Sequence, residues 1–298
     1  MLFRNLILYR LNADWKTPDA LSELLARRPL QPCGGFDMHS RGWICPREGD
    51  YVHAVHGQWL VTLGVEQRLL PTSVIRQETL RRVGIIEAAQ DRKMGKKEQR
   101  ALRDLVTTEL LPKAFTRQRT TAAWIDPKHG WLAIDAGADA RAEEFVEVWL
   151  PTVEAMQLLP LQTRLSPMTA MTDWLAAGEA PAGFTIDSDL ELRAAAAARS
   201  TIRYAQHSLE GDEIRQHLAQ GKLATRLGLT WRGRISFVLT DKGQLKRLTF
   251  LETTQEESDA TALDADERFD ADFALLTGEL GQLLPDLLAA LGGEGKSA

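Results

Sequence analysis

Lysine and arginine are the side chains whose number and grouping in this sequence point to a chemistry. Twelve of them fall between Arg76 and Arg119 against six acidic residues, and seven between Lys222 and Arg247 against Asp241 alone. In the first stretch Arg92, Lys93, Lys96 and Lys97 crowd one turn, Arg76 precedes it, and Lys113, Arg117 and Arg119 follow. In the second, Lys222, Arg226, Arg232, Arg234 and Lys246 are spread over strand-like segments. Neutralising a phosphate backbone takes flexible cations dispersed along a surface rather than one pocket. No zinc-finger spacing, aromatic RNA-recognition motif or convincing helix-turn-helix accompanies them, which favours gripping the backbone over reading bases. Aromatic residues are 7% of the chain and are not interleaved with the basic stretches, which counts against a stacking platform for single strands. The formal net charge is −5, produced by an acidic end: beyond Leu251 twelve acidic residues face only Arg268 and Lys296. Binding responds to the local field, so two basic regions can hold phosphate despite that end. The competing reading is that both basic runs are solvated helix and strand faces.

Signatures of motif-marked catalysis are absent. The sequence contains no Gly-x-Ser-x-Gly elbow, no phosphate-binding glycine-lysine loop, no Gly-x-Gly-x-x-Gly and no His-Glu-x-x-His. Cys33, Cys45, His53 and His56 are the best metal candidates. Zinc sites bring cysteines in as closely spaced pairs so that the ligands converge on one tetrahedron. Here the cysteines are twelve apart, so two buried thiols and two hydrogen-bonded histidines are the simpler expectation. Asp126 and Asp135, on either side of an expected hairpin, are candidates for the paired carboxylates of a metal-dependent nuclease, but no third acidic residue and lysine stand at a recognisable spacing. Asp126 precedes Pro127 and reads more simply as a turn residue. A non-enzymatic chain without metal or cofactor is the expectation.

The elements that would position these cations follow from periodicity. Residues 5–11 alternate as a strand, with Leu6, Leu8 and Arg10 on one side and Ile7, Tyr9 and Leu11 on the other. Thr17 and Pro18 open a helix as cap and first residue. A turn-rich stretch over 32–43 leads to a strand at 58–65. Residues 73–110 are charged and helix-favouring with a break at Gly95, which reads as a helical hairpin that projects from the body and is ended by Pro112. A hairpin at 121–136 follows, then a helix over 138–157 that Pro151 should kink or split. A helix lies at TDWLAAG, and ELRAAAAARS (191–200) is low-complexity but helix-favouring. The segment 222–250 reads as a three-stranded meander. Period two sets Lys222, Ala224 and Arg226 against Leu223, Thr225, Leu227 and Leu229, with Arg232 and Arg234 sharing a face beside them. A long helix at 264–291, divided at Pro285, closes the chain. With 44% hydrophobic and 26% charged residues over 298 positions, the composition is that of an ordinary soluble protein of one large or two to three small domains. No apolar run approaches the roughly 18–20 residues that span a bilayer. Two cysteines imply no disulfide framework, which fits a reducing cytoplasm.

The string from Leu110 through Pro112, Lys113 and Phe115 to Arg117, followed by Trp124-Ile125-Asp126, resembles the bacterial recombination-associated RdgC family. So do MLFRNLILYRL at the start, Pro32-Cys33-Gly34 with Gly42-Trp43, and Leu70-Pro71 with Val74-Ile75. The C-terminal half agrees in Gly221-Lys222, Leu245-Lys246-Arg247-Leu248, the run from Arg268 to Phe273, Thr277-Gly278-Glu279-Leu280 and the terminal LLAALGGE. The resemblance is colinear over essentially the whole chain. It implies an α+β fold: an elongated protomer with a β-sheet body and a protruding helical hairpin arm, closing as a ring-shaped homodimer with a basic inner wall. The implied layout is an N-terminal body over 1–72, the basic arm over 73–119, a central body over 120–185, and a C-terminal meander with a helical base over 186–298. The resemblance further implies sequence-nonspecific binding of double-stranded and, less consistently, single-stranded DNA, association with the nucleoid, and restraint of the recombinase RecA. Phe115 is implied as an apolar contact at the gate of the ring. One departure stands out: Gln206-His207 occupies a place where the family often has a basic residue followed by a polar one, associated with the inner surface. A histidine there makes that contact weaker or pH-dependent. The rival functions are a metal-dependent nuclease and a protein-binding regulator of recombination.

Overall fold

Alternation decides the first strand. In the computed structural model, which describes residues 3–12, 17–154, 156–194, 200–209, 211–251 and 264–295, β1 (Ile7–Leu11) sends Leu6 and Leu8 into one hydrophobic core. Ile7, Tyr9 and Leu11 go into a second. A sheet buried on both faces needs apolar residues at both phases, and β1 supplies them. Its neighbours are β6 (Trp131–Ile134) and β7 (Leu158–Pro160). The sheet continues through β5 (Thr116–Asp126) and β4 (Gln58–Arg68), whose outer edge is shared by β2 (His39–Ile44) and β3 (His53–Val55). All pairings are antiparallel. Two helices cover the second core: α1 (Pro18–Ala26), capped by Thr17 as the sequence indicates, and α4 (Asp139–Trp149). There Trp43 meets Phe145 and Trp149 edge-on at 5.3 and 5.7 Å. Its indole N–H donates to Thr152 at 3.2 Å.

A second sheet holds β8 (Phe184–Ala194), β9 (Thr201–Tyr204), β10 (Lys222–Trp231), β11 (Ile235–Thr240) and β12 (Leu245–Phe250), in the order β12-β11-β10-β8-β9. It joins the first through a two-way backbone bridge between Leu6 and Leu245, at 2.8 and 3.1 Å. The inner face of this sheet packs on α5 (Pro167–Ala177), α6 (Asp212–Ala219) and α7 (Ala265–Ala290), and shares the first core with β1, β5 and β6. The chain is therefore a mixed α+β protein with two antiparallel sheets and, among the described residues, seven helices. Among them no helix is long and apolar enough to cross a membrane.

The connection from β4 to its neighbour β5 is made by α2 (Thr72–Gln90) and α3 (Lys96–Leu110). The break falls at 91–95, with Gly95 as the residue that caps α3. They are tied across by Arg82 to Glu109 at 2.7 Å. Only Ile75 and Thr79 of α2 and Val106 of α3 are buried. A 3-10 turn, Leu111–Lys113, follows α3 and leads into β5.

Several elements differ from what the sequence indicates, each for an identifiable reason. The stretch expected to be turn-rich over 32–43 ends in β2. Gly42 is in this strand because a Cβ there would come within 2.4–2.5 Å of the backbone at Leu30, so it serves a close approach and not a turn. The helix expected over 138–157 stops at Trp149, before Pro151, instead of kinking through it. The run expected to be helix-favouring at 191–200 supplies the end of β8, Glu191–Ala194, while 195–199 lie outside the described residues. Cross-strand packing of Leu190 and Leu192 outweighs the helix propensity of this segment. α7 runs unbroken through Pro285. Proline inside a helix costs about 3 kcal/mol, and burial of Leu280, Leu283, Leu284 and Leu287 on that helix offsets it.

Candidate nucleic-acid interface

On β8, Leu190 and Leu192 point into the core, and Asp189, Glu191 and Arg193 therefore point out. Glu191 lies opposite Arg203 of β9 on one side and Arg226 of β10 on the other. Its carboxylate accepts the Nε–H of Arg203 at 2.7 Å, a terminal N–H of Arg193 at 3.2 Å and the hydroxyl of Thr225 at 3.0 Å. Arg226 Nε stands 4.0 Å away. Glu191 is 3% exposed, whereas the side chains of Arg193, Arg203 and Arg226 are 53%, 71% and 53% exposed. Lys246 and Arg247 of β12 complete the group. Together with Arg203 and Arg226 they line a recess of about 130 Å3 whose floor includes Glu191 and Val238. Five cations thus share one sheet face with three carboxylates, Glu191, Asp189 and Asp187, the last held by the Thr230 hydroxyl at 2.9–3.0 Å.

Burial alone would raise the Glu191 pKa. The hydrogen bonds from Arg203 and Thr225 and the charges of Arg203 and Arg226 outweigh it and hold the carboxyl below its usual range. Because the folded pKa is depressed, this cluster contributes stability above the ordinary carboxylate range, lost as pH falls through the folded value. Lys246 is pushed the other way, below the usual lysine range, first by burial and then, against the opposing charge of Asp139, by its neighbours Arg226 and Lys242. Its ammonium donates to the Ala136 carbonyl at 3.2 Å. Arg247 takes φ 53, in the left-handed region that non-glycine residues seldom occupy, and pairs with Asp189 at 3.0 Å.

Of the cations singled out from the sequence, Arg226 and Lys246 are brought together on this face. Lys222 is not. Between Ala224 and Arg226 the register with β8 shifts, leaving Thr225 unmatched. The bulge reverses the phase, so Ala224 is on the core side with Leu227 and Leu229, and Lys222 shares that side. Its ammonium bonds to Gln220 and His217 at 3.0 and 3.1 Å. The expected grouping of Lys222, Ala224 and Arg226 on one face is therefore corrected. Arg232 and Arg234 do not lie beside them either. They occupy the β10–β11 turn, where Arg232 bonds Asp286 at 2.8 Å and Arg234 grips Glu279 at 2.7–3.1 Å, both on α7. Glu279 is 6% exposed, so this pair fastens α7 to the sheet. Arg193, Arg203 and Arg247 were not singled out. The signal that finds Arg193 and Arg203 is alternation along β8 and β9, which reading 191–200 as helix hides for Arg193, whereas Arg247 lies on β12 beside a register shift that alternation does not reveal.

The cations of the first basic stretch form a separate group. Arg76 on α2, Lys96 and Lys97 at the start of α3, and Arg117 on β5 are exposed and make no ion pair among the described residues. Cations in a helix's first turn oppose its dipole, so Lys96 and Lys97 are not there for helix stability. Arg92 is committed to Glu98 by a two-pronged contact of 2.8–2.9 Å, which with the Gly95 N–H holds the Glu98 carboxyl down to about 2. Arg119 pairs with Glu144 of α4 at 2.6 Å. Lys113 is exposed in the 3-10 turn. Gln206 and His207 follow β9. The His207 ring lies 5.4 Å from that of Tyr204, with Nδ1 2.8 Å from the Ser208 carbonyl.

The metal candidates are dispersed. Cys33 Sγ donates to the Glu66 carbonyl and Cys45 Sγ to that of Gly49, both at 3.3 Å. His53 faces Asp270 at 3.0 Å and packs edge-on against Phe269 and Phe273, while His56 sits in the β3–β4 turn with φ 49. No group of three or more metal-ligating side chains converges among the described residues. Asp126 and Asp135 stand at opposite ends of the β5–β6 pairing. Asp126 accepts from the backbone of Lys128 and His129 at 3.0 Å, and Asp135 from that of Arg4 and Asn5 at 3.2 and 2.9 Å. Both carboxylates hold backbone, and they do not face each other.

Phe115 is 85% exposed. Its carbonyl accepts from Leu69 N–H at 2.7 Å. The Arg68 guanidinium ties the loop carbonyls of Cys33, Gly34, Pro112 and Ala114 to this end of the first sheet, at 3.1–3.3 Å. The same segments carry Phe36 (72% exposed), Leu69 and Met38, all exposed. Four large apolar side chains, Phe115, Phe36, Leu69 and Met38, therefore stand exposed at one end of the sheet.

A sequence model described as "Putative exonuclease, RdgC" matches residues 1–294. The chain is 50% identical over 300 residues to the recombination-associated protein RdgC of Dechloromonas aromatica, covering 99% of this chain and 98% of the relative. It is 46% identical over 296 residues to the protein of the same description from a Janthinobacterium species, covering 99% of both. With that of Cupriavidus necator the identity is 45% over 299 residues, the full length of both chains.

Proposed function

The chain belongs to the RdgC family, and from that premise we propose that it binds DNA, mainly double-stranded, through the phosphates, without reading sequence and without catalysing a reaction. The observation that carries this reading is the convergence of Arg193, Arg203, Arg226, Lys246 and Arg247 on one exposed sheet face. Phosphate contacts fix a protein on the duplex and hold no base information. In this reading α2 and α3 project as an arm whose Lys96 and Lys97 add to the basic wall. Two protomers close a ring around DNA, the exposed ends around Phe115 meeting as its gate. The relatives' description as recombination-associated connects the same activity to recombination. Bound protein on the nucleoid would restrain RecA by occupying DNA. The printed description of the family as a putative exonuclease favours a second reading, a nuclease.

Affinities for two duplexes of equal length and unrelated sequence should agree within about threefold and fall steeply with salt. A preference of about a hundredfold for one of them would overturn sequence blindness. Supercoiled plasmid incubated with the protein and Mg2+ or Mn2+ should stay unnicked. Nicking that co-purifies with the chain would establish the nuclease instead.

A further inference from the structure

We propose that Glu191 is the positioning residue of this basic face: its buried carboxylate hydrogen-bonds Arg193 and Arg203 and attracts Arg226 beside them, in a fan whose remaining N–H groups are set for phosphate oxygens. The proposal rests on the DNA-binding reading above and deepens it.

A guanidinium carries five N–H donors in a rigid planar fork. Arg203 uses only its Nε–H on Glu191, at 2.7 Å, which fixes the plane and leaves both terminal nitrogens for a two-pronged phosphate contact. Arg193 uses one terminal N–H, at 3.2 Å. Arg226 stands against the same carboxylate oxygen as Arg203, with its Nε 4.0 Å away. The carboxylate is itself fixed. Thr225 donates its hydroxyl to it at 3.0 Å and also approaches the Glu191 carbonyl at 3.3 Å. Thr225 is the unmatched residue at the β10 register shift. Bulges re-aim side chains, and this one turns a hydroxyl onto the carboxylate that anchors Arg193 and Arg203 and faces Arg226. Long side chains that must be ordered on binding weaken association, and holding them beforehand removes that cost.

A carboxylate on a phosphate-binding surface also repels phosphate, so positioning and simple charge make opposite predictions. Glu191→Gln keeps shape and one acceptor oxygen while raising the local charge by one. If Glu191 positions the fan, duplex affinity should fall about three- to tenfold. Dissociation should speed up by more than association, which added charge does not slow. If Glu191 were only an opposing charge, the same variant would bind more tightly, and either tighter or unchanged binding overturns the proposal. Arg203→Lys is the second arm, and it carries the test if Glu191→Gln fails to fold by thermal unfolding. It retains the charge and loses the Nε anchor and the fork, so affinity should again fall about three- to tenfold, and wild-type affinity overturns the proposal. Arg203→Gln separates the two levels. Should it leave affinity and salt dependence untouched, the assignment of DNA to this face fails. Should it weaken binding while Arg203→Lys and Glu191→Gln do not, the face stands and the positioning role of Glu191 fails.

Discussion

Replacing Arg193, Arg203, Arg226 and Lys246 together by glutamine is expected to lower duplex affinity by between two and three orders of magnitude at about 0.1 M salt. Each phosphate contact contributes about 0.9 to the slope of log K against log salt, so losing three contacts makes the slope shallower by about 2.7 and removes about 2.7 decades at 0.1 M. Three contacts are assumed rather than four because Lys246 is half-buried and already donates to Ala136. The loss should be uniform across sequences, since none of these groups reads a base. Arg232→Gln with Arg234→Gln is the matched control. Those side chains are held by Asp286 and Glu279 on α7. Leaving the buried Glu279 carboxylate without its charged partner should cost about 1–3 kcal/mol of stability. The salt slope should stay where it was. A slope that responds to the turn pair and not to the sheet face would move the interface to the β10–β11 turn.

Phe115→Ser is expected to separate closure from folding. At 85% exposure the ring contributes little to the protomer's own core, so thermal unfolding of the protomer should barely move. Truncating an aromatic that is buried only in the dimer commonly costs about 3 kcal/mol, which is about 150-fold in an association constant. Sedimentation should show the loss, and retention on closed circular DNA should fall with it if the ring encircles the duplex. Phe36, Met38 and Leu69 around it would keep part of the contact, which makes serine more informative than alanine because it adds a hydroxyl to desolvate. Wild-type association by the variant would remove Phe115 from the interface, and global unfolding would return it to the core.

Much of the fold is legible where pattern and propensity agree. The alternation of β1, the Thr17-Pro18 start of α1, the β5–β6 hairpin with its Asp126 turn and the helix break at Gly95 all follow from local rules. The misses fall where tertiary packing overrides them. An alanine-rich run contributes to a strand because Leu190 and Leu192 are needed in the core, and a proline is carried inside α7 because four leucines beyond the solvent-facing stripe are buried. Gly42 reads as a turn former and is instead a gap for the backbone at Leu30.

The site was harder to read than the fold, for a reason that concerns one residue. Strict alternation along 222–231 puts Lys222 and Arg226 on the same face, and one extra residue at Thr225 reverses it. A bulge leaves no mark in hydrophobic spacing when threonine, which suits either face, is the residue inserted. Charge counting found the basic region but could not separate Arg226, turned outward, from Arg232 and Arg234, fastened to carboxylates about fifty residues further along the chain. Nor could it find Glu191, because a lone acidic residue between leucines looks like any solvated strand position. The tie between Arg68 and four loop carbonyls, which gathers the exposed apolar side chains around Phe115, is likewise visible only in three dimensions.

Protection of arginines from a guanidine-specific reagent shows whether duplex phosphates lie on the outer face of the second sheet. With modification mapped by mass spectrometry, adding a duplex of arbitrary sequence should protect Arg193, Arg203 and Arg226 and leave Arg232 at its DNA-free rate. Protection should vanish in high salt, where phosphate contacts are lost. Unchanged modification of Arg193, Arg203 and Arg226 under conditions where the duplex is bound would place the phosphates elsewhere on the molecule.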